Sequence, residues 1–240
     1  MATYKIKLQD RQVVAQDTIS FFFEKPSNFT FKPGQFGEFT LINPPETDSE
    51  GNGRAFTIAS PPSAEQIMIT TRLRDTAFKR VMQRIPLGTE VTLDGPHGAF
   101  TLHHKQTTPA VFIAGGIGIT PARSIILQAV HDKLPHTIYL FYANHTPETT
   151  AFLDELQALE NQKSNLKIIP IMTSMHQSQQ TWKGEKGHLD CAMLSRYIDE
   201  LSEPIYYISG PPSMVAATQQ MLNACGIDDD NIRAEEFPGY

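Results

Sequence analysis

Cysteine is scarce in this chain: Cys191 and Cys225 are the only two in 240 residues. Two thiols imply no disulfide framework and agree with a reducing compartment. They also cannot supply the four thiolates of a plant-type iron–sulfur cluster, so any such centre serving this chain sits on another protein. Long apolar runs are missing too. None approaches the roughly 20 residues that cross a bilayer, and residues 1–12 lack the apolar core of a secretory signal. A cytoplasmic protein is the expectation. Positive charge is not in excess: 20 Lys and Arg face 26 Asp and Glu, a net charge of −6, which argues against a nucleic-acid binder. There is no Gly-x-Ser-x-Gly elbow and no partner pattern among the histidines, which removes the common hydrolase reading. His103 and His104 are adjacent, so on a strand they face opposite ways, and no Cys/His spacing resembles a zinc site. They read as surface polar residues, and no metal is expected.

What is present falls into two rhythms. Up to residue 104 the chain consists of short alternating or apolar runs: Val13–Phe23, Gly37–Ile42, Phe56–Ala59, Gln66–Leu73 and Glu90–Leu93. Turns such as Lys32-Pro33-Gly34, Asn43-Pro44-Pro45 and Leu87-Gly88 break them. This spacing predicts an antiparallel β-barrel or sandwich, with one helix over Thr76–Arg84 where Phe78, Val81, Met82 and Ile85 recur at helical spacing. From residue 105 to 240 compact apolar runs take over: Ala110–Ala114, Thr137–Tyr142, Leu166–Met172 and Ile205–Ser209. Such runs suit strands buried on both faces. Helical periodicity over Pro121–Val130 and Cys191–Leu201 lies between them, so the second domain is expected to be an α/β, doubly wound parallel sheet. The stretch 103–109 is the expected boundary, and Asn43–Gly53 and Ser174–Gly187 read as exposed loops.

Gly115-Gly116-Ile117-Gly118-Ile119-Thr120-Pro121 joins a predicted strand to a predicted helix. Glycines allow a tight turn and close approach of a ligand, and the following helix N-terminus offers free amides to an anion. Taken alone, the same turn serves packing equally well. The acidic residue that commonly holds a ribose after the second strand is absent, and Tyr142-Ala143-Asn144-His145 stands there.

Gly53-Arg54-Ala55-Phe56-Thr57 combines a phosphate-pairing cation, a flat stacking surface and a hydroxyl. Taken alone, it also fits a surface charge, a core aromatic and a strand former. The run resembles the Arg–x–Tyr–Ser/Thr flavin motif of the ferredoxin–NADP+ reductase family, and the likeness continues in order along the chain. Pro33-Gly34-Gln35-Phe36, Asp94-Gly95-Pro96-His97-Gly98, the 115–121 turn, Ser209-Gly210-Pro211-Pro212-Ser213-Met214 and Glu235-Glu236-Phe237 all resemble family segments.

That resemblance implies a flavin domain over 1–104, an NAD(P)-binding domain over 105–240, and hydride transfer from nicotinamide C4 to flavin N5. FAD is implied over FMN, with NADH or NADPH as co-substrate. Arg54 would pair with the pyrophosphate, Phe56 would stack on the isoalloxazine where the family has tyrosine, and Thr57 would bond near N5, with Ala55 between them. Thr71 and Arg72 would lie near the ring. Thr76, Ala77, Phe78 and Lys79 would present a helix N-terminus to the phosphates, although Asp75 replaces the usual preceding glycine. Gly115, Gly116, Gly118, Thr120, Pro121, Asn144, Gly210, Pro211 and Met214 would line the nucleotide path. Ser209 takes the place of a family cysteine beside the nicotinamide. Thr57, Ser209 and Glu235 are the implied catalytic set, and Phe237 or Tyr240 would cover the flavin. A monomer is expected to pass electrons to an iron–sulfur or haem protein or to a small acceptor. The same fold could instead be a non-catalytic flavin- or nucleotide-binding regulatory module.

Overall fold

The computed structural model describes residues 2–238. The first half forms β1 (Thr3–Ala15), β2 (Thr18–Glu24), β3 (Phe36–Leu41), β4 (Gly53–Thr57), β5 (Gln66–Arg72) and β6 (Glu90–His97), in the order β4-β3-β6-β1-β2-β5. Every ladder in it is antiparallel. The outer strands β4 and β5 share no ladder. Just beyond β4, however, the Ala59 amide donates to the Met68 carbonyl at 2.7 Å, and the Met68 amide donates to the Ser60 hydroxyl at 2.9 Å. The sheet therefore curls almost into the expected barrel. Alternation along β1, with Ile6 and Leu8 buried between exposed Lys5 and Lys7, turns one face inward onto Phe21, Phe23, Phe39 and Leu93. Helix α1 (Ala77–Arg84) adds Phe78, Val81 and Met82 to that core.

The second half contains β7 (Ala110–Gly115), β8 (Ile138–Asn144), β9 (Leu166–Met172), β10 (Glu185–Lys186), β11 (Ile205–Gly210) and β12 (Ile232–Glu236). All are parallel, in the order β10-β9-β8-β7-β11-β12. Helices α2 (Ile119–His131) and α3 (Leu153–Glu160) pack on one face of the sheet, and α4 (Cys191–Ser195) and α5 (Pro212–Ala224) on the other. From β7 the chain steps outward through β8 and β9, then returns to the other side of β7 as β11. That reversal opens a crevice past the carboxyl ends of β7 and β11, the place where open parallel sheets bind ligands.

Some expectations are corrected. Val13–Phe23 is not one strand but a hairpin turning at Gln16-Asp17, with Asp17 in the left-handed region (φ 53°). No glycine or proline marks the turn, because a short polar side chain tolerates that conformation. The helix expected over Cys191–Leu201 stops at Ser195. Beyond it, Arg196 and Tyr197 reach back to the Glu185 carboxylate at 2.6 and 2.7 Å. The loop 174–187 contains the short edge strand β10. Cys191 and Cys225 form a disulfide, with Cα atoms 5.8 Å apart, because α4 begins beside the end of α5. His103 is buried, not a surface residue: its ring meets the Tyr207 hydroxyl at 3.0 Å and the Thr108 carbonyl at 2.9 Å. His104 is exposed. Phe100 packs edge-on against Tyr207, so side chains before residue 104 already belong to the second core.

Arg123, on α2, ties the halves together. Its guanidinium donates to the Ala59 carbonyl at 2.7 Å and holds the Glu155 carboxylate with two bonds of 2.7 and 2.6 Å, above the Phe152 ring. Beside it, the Ser124 hydroxyl donates to the Ser60 carbonyl at 2.8 Å.

Candidate cofactor site

β4 and β5 face the crevice edge of the second sheet. Between them lies a cavity of about 180 Å³ that Arg54, Ala55, Phe56, Thr57, Thr71, Arg72, Thr76, Lys79, Thr120 and Phe237 all line. The structure thus gathers most of the expected flavin residues with Ile117 and Thr120 of the glycine turn and with Phe237 and Pro238, just past β12 (Ile232–Glu236). Thr57 and Thr71 are buried. Phe56 is half-buried, its ring 5.7 Å from Phe78 and 6.1 Å from Phe39, so one side packs on the barrel core. Ala77 and Phe78 turn their side chains into that core and do not line the cavity. What Ala77 offers is its backbone amide.

That amide is already engaged. Thr76 caps α1, its hydroxyl accepting from the Lys79 amide at 3.4 Å. The Asp48 carboxylate then accepts from the Ala77 amide at 2.8 Å and from Arg54 at 3.3 Å. Glu50 pairs with Arg54 at 2.9 Å, and Glu46 with Arg80 at 2.7 Å. The Ala77 hydrogen bond, foremost, holds the Asp48 carboxyl below its ordinary range. A helix N-terminus beside a guanidinium is an anion cradle, and here a loop carboxylate sits in it. The sequence reading treated 43–53 as an exposed loop and missed this. Three acids at alternate positions shortly before Arg54 were the available signal. Burial, then the positive charges of Arg74 and Arg54, pushes Lys79 down to about 8.

A second cavity, of about 480 Å³, opens over the carboxyl ends of the parallel strands. Gly115, Gly116, Asn144, Pro211 and Met214 line it, and so does Arg72, which borders both cavities. Gly116 has φ 52°, a left-handed turn. At Gly118 any side chain would meet the Ser209 carbonyl at 2.3 Å, so this glycine serves close packing of the turn against β11. Pro121 is buried in the first turn of α2. Asn144 is buried, and neither atom of its amide has a hydrogen-bond partner among the described residues.

Ser209 lines neither cavity. It is buried, and its hydroxyl donates to the Gly118 carbonyl at 2.7 Å, fastening the glycine turn to β11. Glu235 pairs with Ser209 across the β11–β12 ladder. Its Oε2 is buried with no hydrogen-bond partner among the described residues, and burial pushes the carboxyl up to about 7. Phe237 follows, its amide donating to the Gly210 carbonyl at 2.9 Å. Tyr240 lies outside the described residues. Among the described residues, no helix is long and apolar enough to cross a membrane.

The barrel, the doubly wound sheet and the crevice between them define a two-domain fold. The oxidoreductase NAD-binding domain family matches residues 112–220. The chain is 26% identical over 223 residues to the glycine betaine monooxygenase reductase subunit of Chromohalobacter salexigens, covering 92% of this chain and 60% of that one. It thus spans about three fifths of that relative's length. Among solved structures, the flavohem-like FAD/NAD binding domain of nitric oxide dioxygenase from Vibrio cholerae O1 biovar El Tor superposes with a TM-score of 0.83 at 18% identity, over 97% of this chain and 98% of that one. A ferredoxin NADP+ reductase from Neisseria gonorrhoeae with bound FAD and NADP gives 0.81 at 21% identity, over 98% of each. The second half of the chain is thus similar to the oxidoreductase NAD-binding domain family, and the two-domain fold as a whole is similar to those FAD- and NAD-binding structures.

Proposed function

We propose that this chain is an FAD-dependent NAD(P)H oxidoreductase that passes electrons to a separate acceptor. One observation carries the reading. A cavity with an anion cradle and a cavity over a glycine turn meet at Arg72, beside the switch point of a parallel sheet. The residues fit a flavin, because Arg54 and the Ala77 amide already hold a carboxylate between them, and a phosphate needs those same donors. Arg54, Thr76, the Ala77 amide and Lys79 would hold the phosphates, while Phe56 offers a stacking face and Thr57 a buried hydroxyl. FAD over FMN follows from the family resemblance. When bound, the flavin supplies a two-electron acceptor that can release electrons singly.

The chain's own residues align and shield that chemistry. The 116–120 turn and the N-terminus of α2 receive a dinucleotide pyrophosphate. Ser209, by fastening the Gly118 carbonyl, fixes how far the turn stands from β11, and in this way acts as a positioning residue. Glu235 keeps a proton at its buried carboxyl beside Ser209. Phe237 closes the flavin-side cavity and excludes water. An iron–sulfur or haem protein is the acceptor class that suits single-electron release, and the monooxygenase reductase subunit among the relatives supports an oxygenase component. The protein is proposed to be a cytoplasmic monomer. A diaphorase assay tests the reading: purified protein with FAD should reduce a dye at the expense of NADH or NADPH. A protein that binds flavin and turns over no dye is a binding module instead.

A further inference from the structure

Two walls of the 480 Å³ cavity come from separate parts of the chain. One is the turn at His188-Leu189, and the other is the side of α5 that carries Ala217, Thr218 and Met221. The turn leads directly into α4, whose first residue is Cys191, and Cys225 caps α5 one turn beyond Met221. The disulfide between these cysteines therefore ties one wall to the other from behind. Its sulfurs also touch the lining. Cys225 Sγ lies 3.4 Å from Met221 Sδ, and Cys191 Sγ lies 3.9 Å from the Met221 carbonyl oxygen.

Other bonds at the turn run elsewhere. The Gly187 amide donates to the Met172 carbonyl at 3.0 Å, which fastens the start of the turn to β9. The Asp190 carboxylate accepts from the Met193 amide at 2.7 Å and so caps α4. Leu194 and Leu222 share the core on this face of the sheet, which keeps both helices packed whether or not the sulfurs are joined. The covalent link thus bears on the turn and on the Met221 end of α5. None of these residues lines the flavin-side cavity.

Cys191 and Cys225 are both half-buried, so a small thiol reaches them from solvent. Solvent-accessible disulfides are the ones that thiol–disulfide exchange opens most readily. The exchange balances with a dithiol as reductant. The dithiol loses two protons and two electrons and closes to its own disulfide, while the Cys191–Cys225 bond breaks and takes them up as two thiols.

Resting on the reading of this cavity as the dinucleotide site, we propose that the Cys191–Cys225 disulfide is a redox clasp that controls dinucleotide affinity. Oxidised, it holds the 188–189 turn against α5 and keeps the cavity ready for its ligand. Reduced, it frees the turn, and the ligand must order that wall as it binds. The thiol state of the surroundings then sets how much dinucleotide the chain takes up.

The test measures ADP-ribose affinity by equilibrium dialysis on the full chain, oxidised and after reduction with dithiothreitol, and on the Cys191→Ser, Cys225→Ser double variant. The oxidised chain should bind at least about threefold more tightly than the reduced chain. The double variant should match the reduced chain and ignore dithiothreitol, with FAD affinity and far-ultraviolet circular dichroism the same in all three. Linkage supplies a readout that a merely structural disulfide would not move. In mixtures of reduced and oxidised dithiothreitol, saturating ADP-ribose should shift the ratio that half-reduces the disulfide toward the reductant by that same factor, as followed by thiol alkylation. Equal affinity of the oxidised and reduced chains overturns the proposal, as does an unmoved half-reduction ratio or a response to dithiothreitol in the double variant. Loss of FAD binding or of secondary structure on reduction also overturns it, because the bond then holds the fold. If the oxidised chain binds no ADP-ribose, the dinucleotide reading of the cavity has failed, and the clasp falls with it.

Discussion

The Asp48 carboxylate accepts a hydrogen bond from the Ala77 amide at 2.8 Å, at the first residue of α1, while its other oxygen meets Arg54 at 3.3 Å. One anion thus joins a helix N-terminus to the guanidinium of the Gly53–Thr57 strand. In the proposed reading a flavin phosphate would use these same donors, so cofactor and loop would compete for them. Asp48→Asn should bind FAD and FMN about threefold or more tightly than wild type, because its neutral amide is a poorer competitor for these donors. Riboflavin, which has no phosphate, should bind both proteins alike. Flavin fluorescence titration reads all three ligands, and an equal gain for riboflavin would show that the loop blocks the ring and not the phosphate.

The Arg123 fork makes a second expectation quantitative. Arg123 is 9% exposed and satisfies Glu155 and the Ala59 carbonyl together. Arg123→Leu leaves the Ala59 carbonyl without its partner and Glu155, more than a third exposed, to be rehydrated, and should cost about 1–3 kcal/mol in urea unfolding. Arg123→Lys should recover only part of this, since a point charge cannot reproduce the two-pronged contact.

Glu235 should leave a signature in the pH dependence of stability. Burial raises its carboxyl from 4.5 to about 7. Between these values the folded chain holds a proton that the unfolded chain has released. Its stabilising contribution is therefore present below about pH 4.5 and lost as pH rises through 7. Glu235→Gln should match wild type near pH 4.5 and exceed it by about 1–3 kcal/mol at pH 8. The rate of flavin reduction by NADH should show an inflection near pH 7 that is absent in the same variant.

The disulfide closes a long loop between α4 and α5, with 34 residues separating its cysteines. Cys191→Ser with Cys225→Ser should lower stability by about 3–4 kcal/mol on the chain-entropy estimate for a loop of that length. Denaturant melts of the double variant against the oxidised protein measure it directly.

Much of this architecture was legible in the residues. The apolar runs at 110–114, 166–172 and 205–209 became parallel strands because burial on both faces leaves no room for alternation. Arg54, Thr57, Thr71 and Thr76, expected near one ligand, line one cavity, and Thr120, expected on the nucleotide path, lines it too. What stayed hidden depended on tertiary contacts. The hairpin at Asp17 carries no turn glycine, and the Cys191–Cys225 pair has no diagnostic spacing. His103 is buried only because Tyr207, 104 residues away, receives it. Ser209 fitted a nicotinamide contact in sequence, but its hydroxyl is spent on Gly118. The Asp48 contact joins a loop to a helix 29 residues on, and no local pattern encodes it.

In the proposed reading a flavin lodges against β4 and β5, with its reactive side toward the crevice of the parallel sheet. Anaerobic stopped-flow mixing of NADH with FAD-incubated protein probes that placement. The protein should be yellow, and its absorbance near 450 nm should bleach in a saturable phase. A protein that remains colourless after incubation with FAD or FMN, or a bound flavin that saturating NADH and NADPH both leave oxidised, would contradict it.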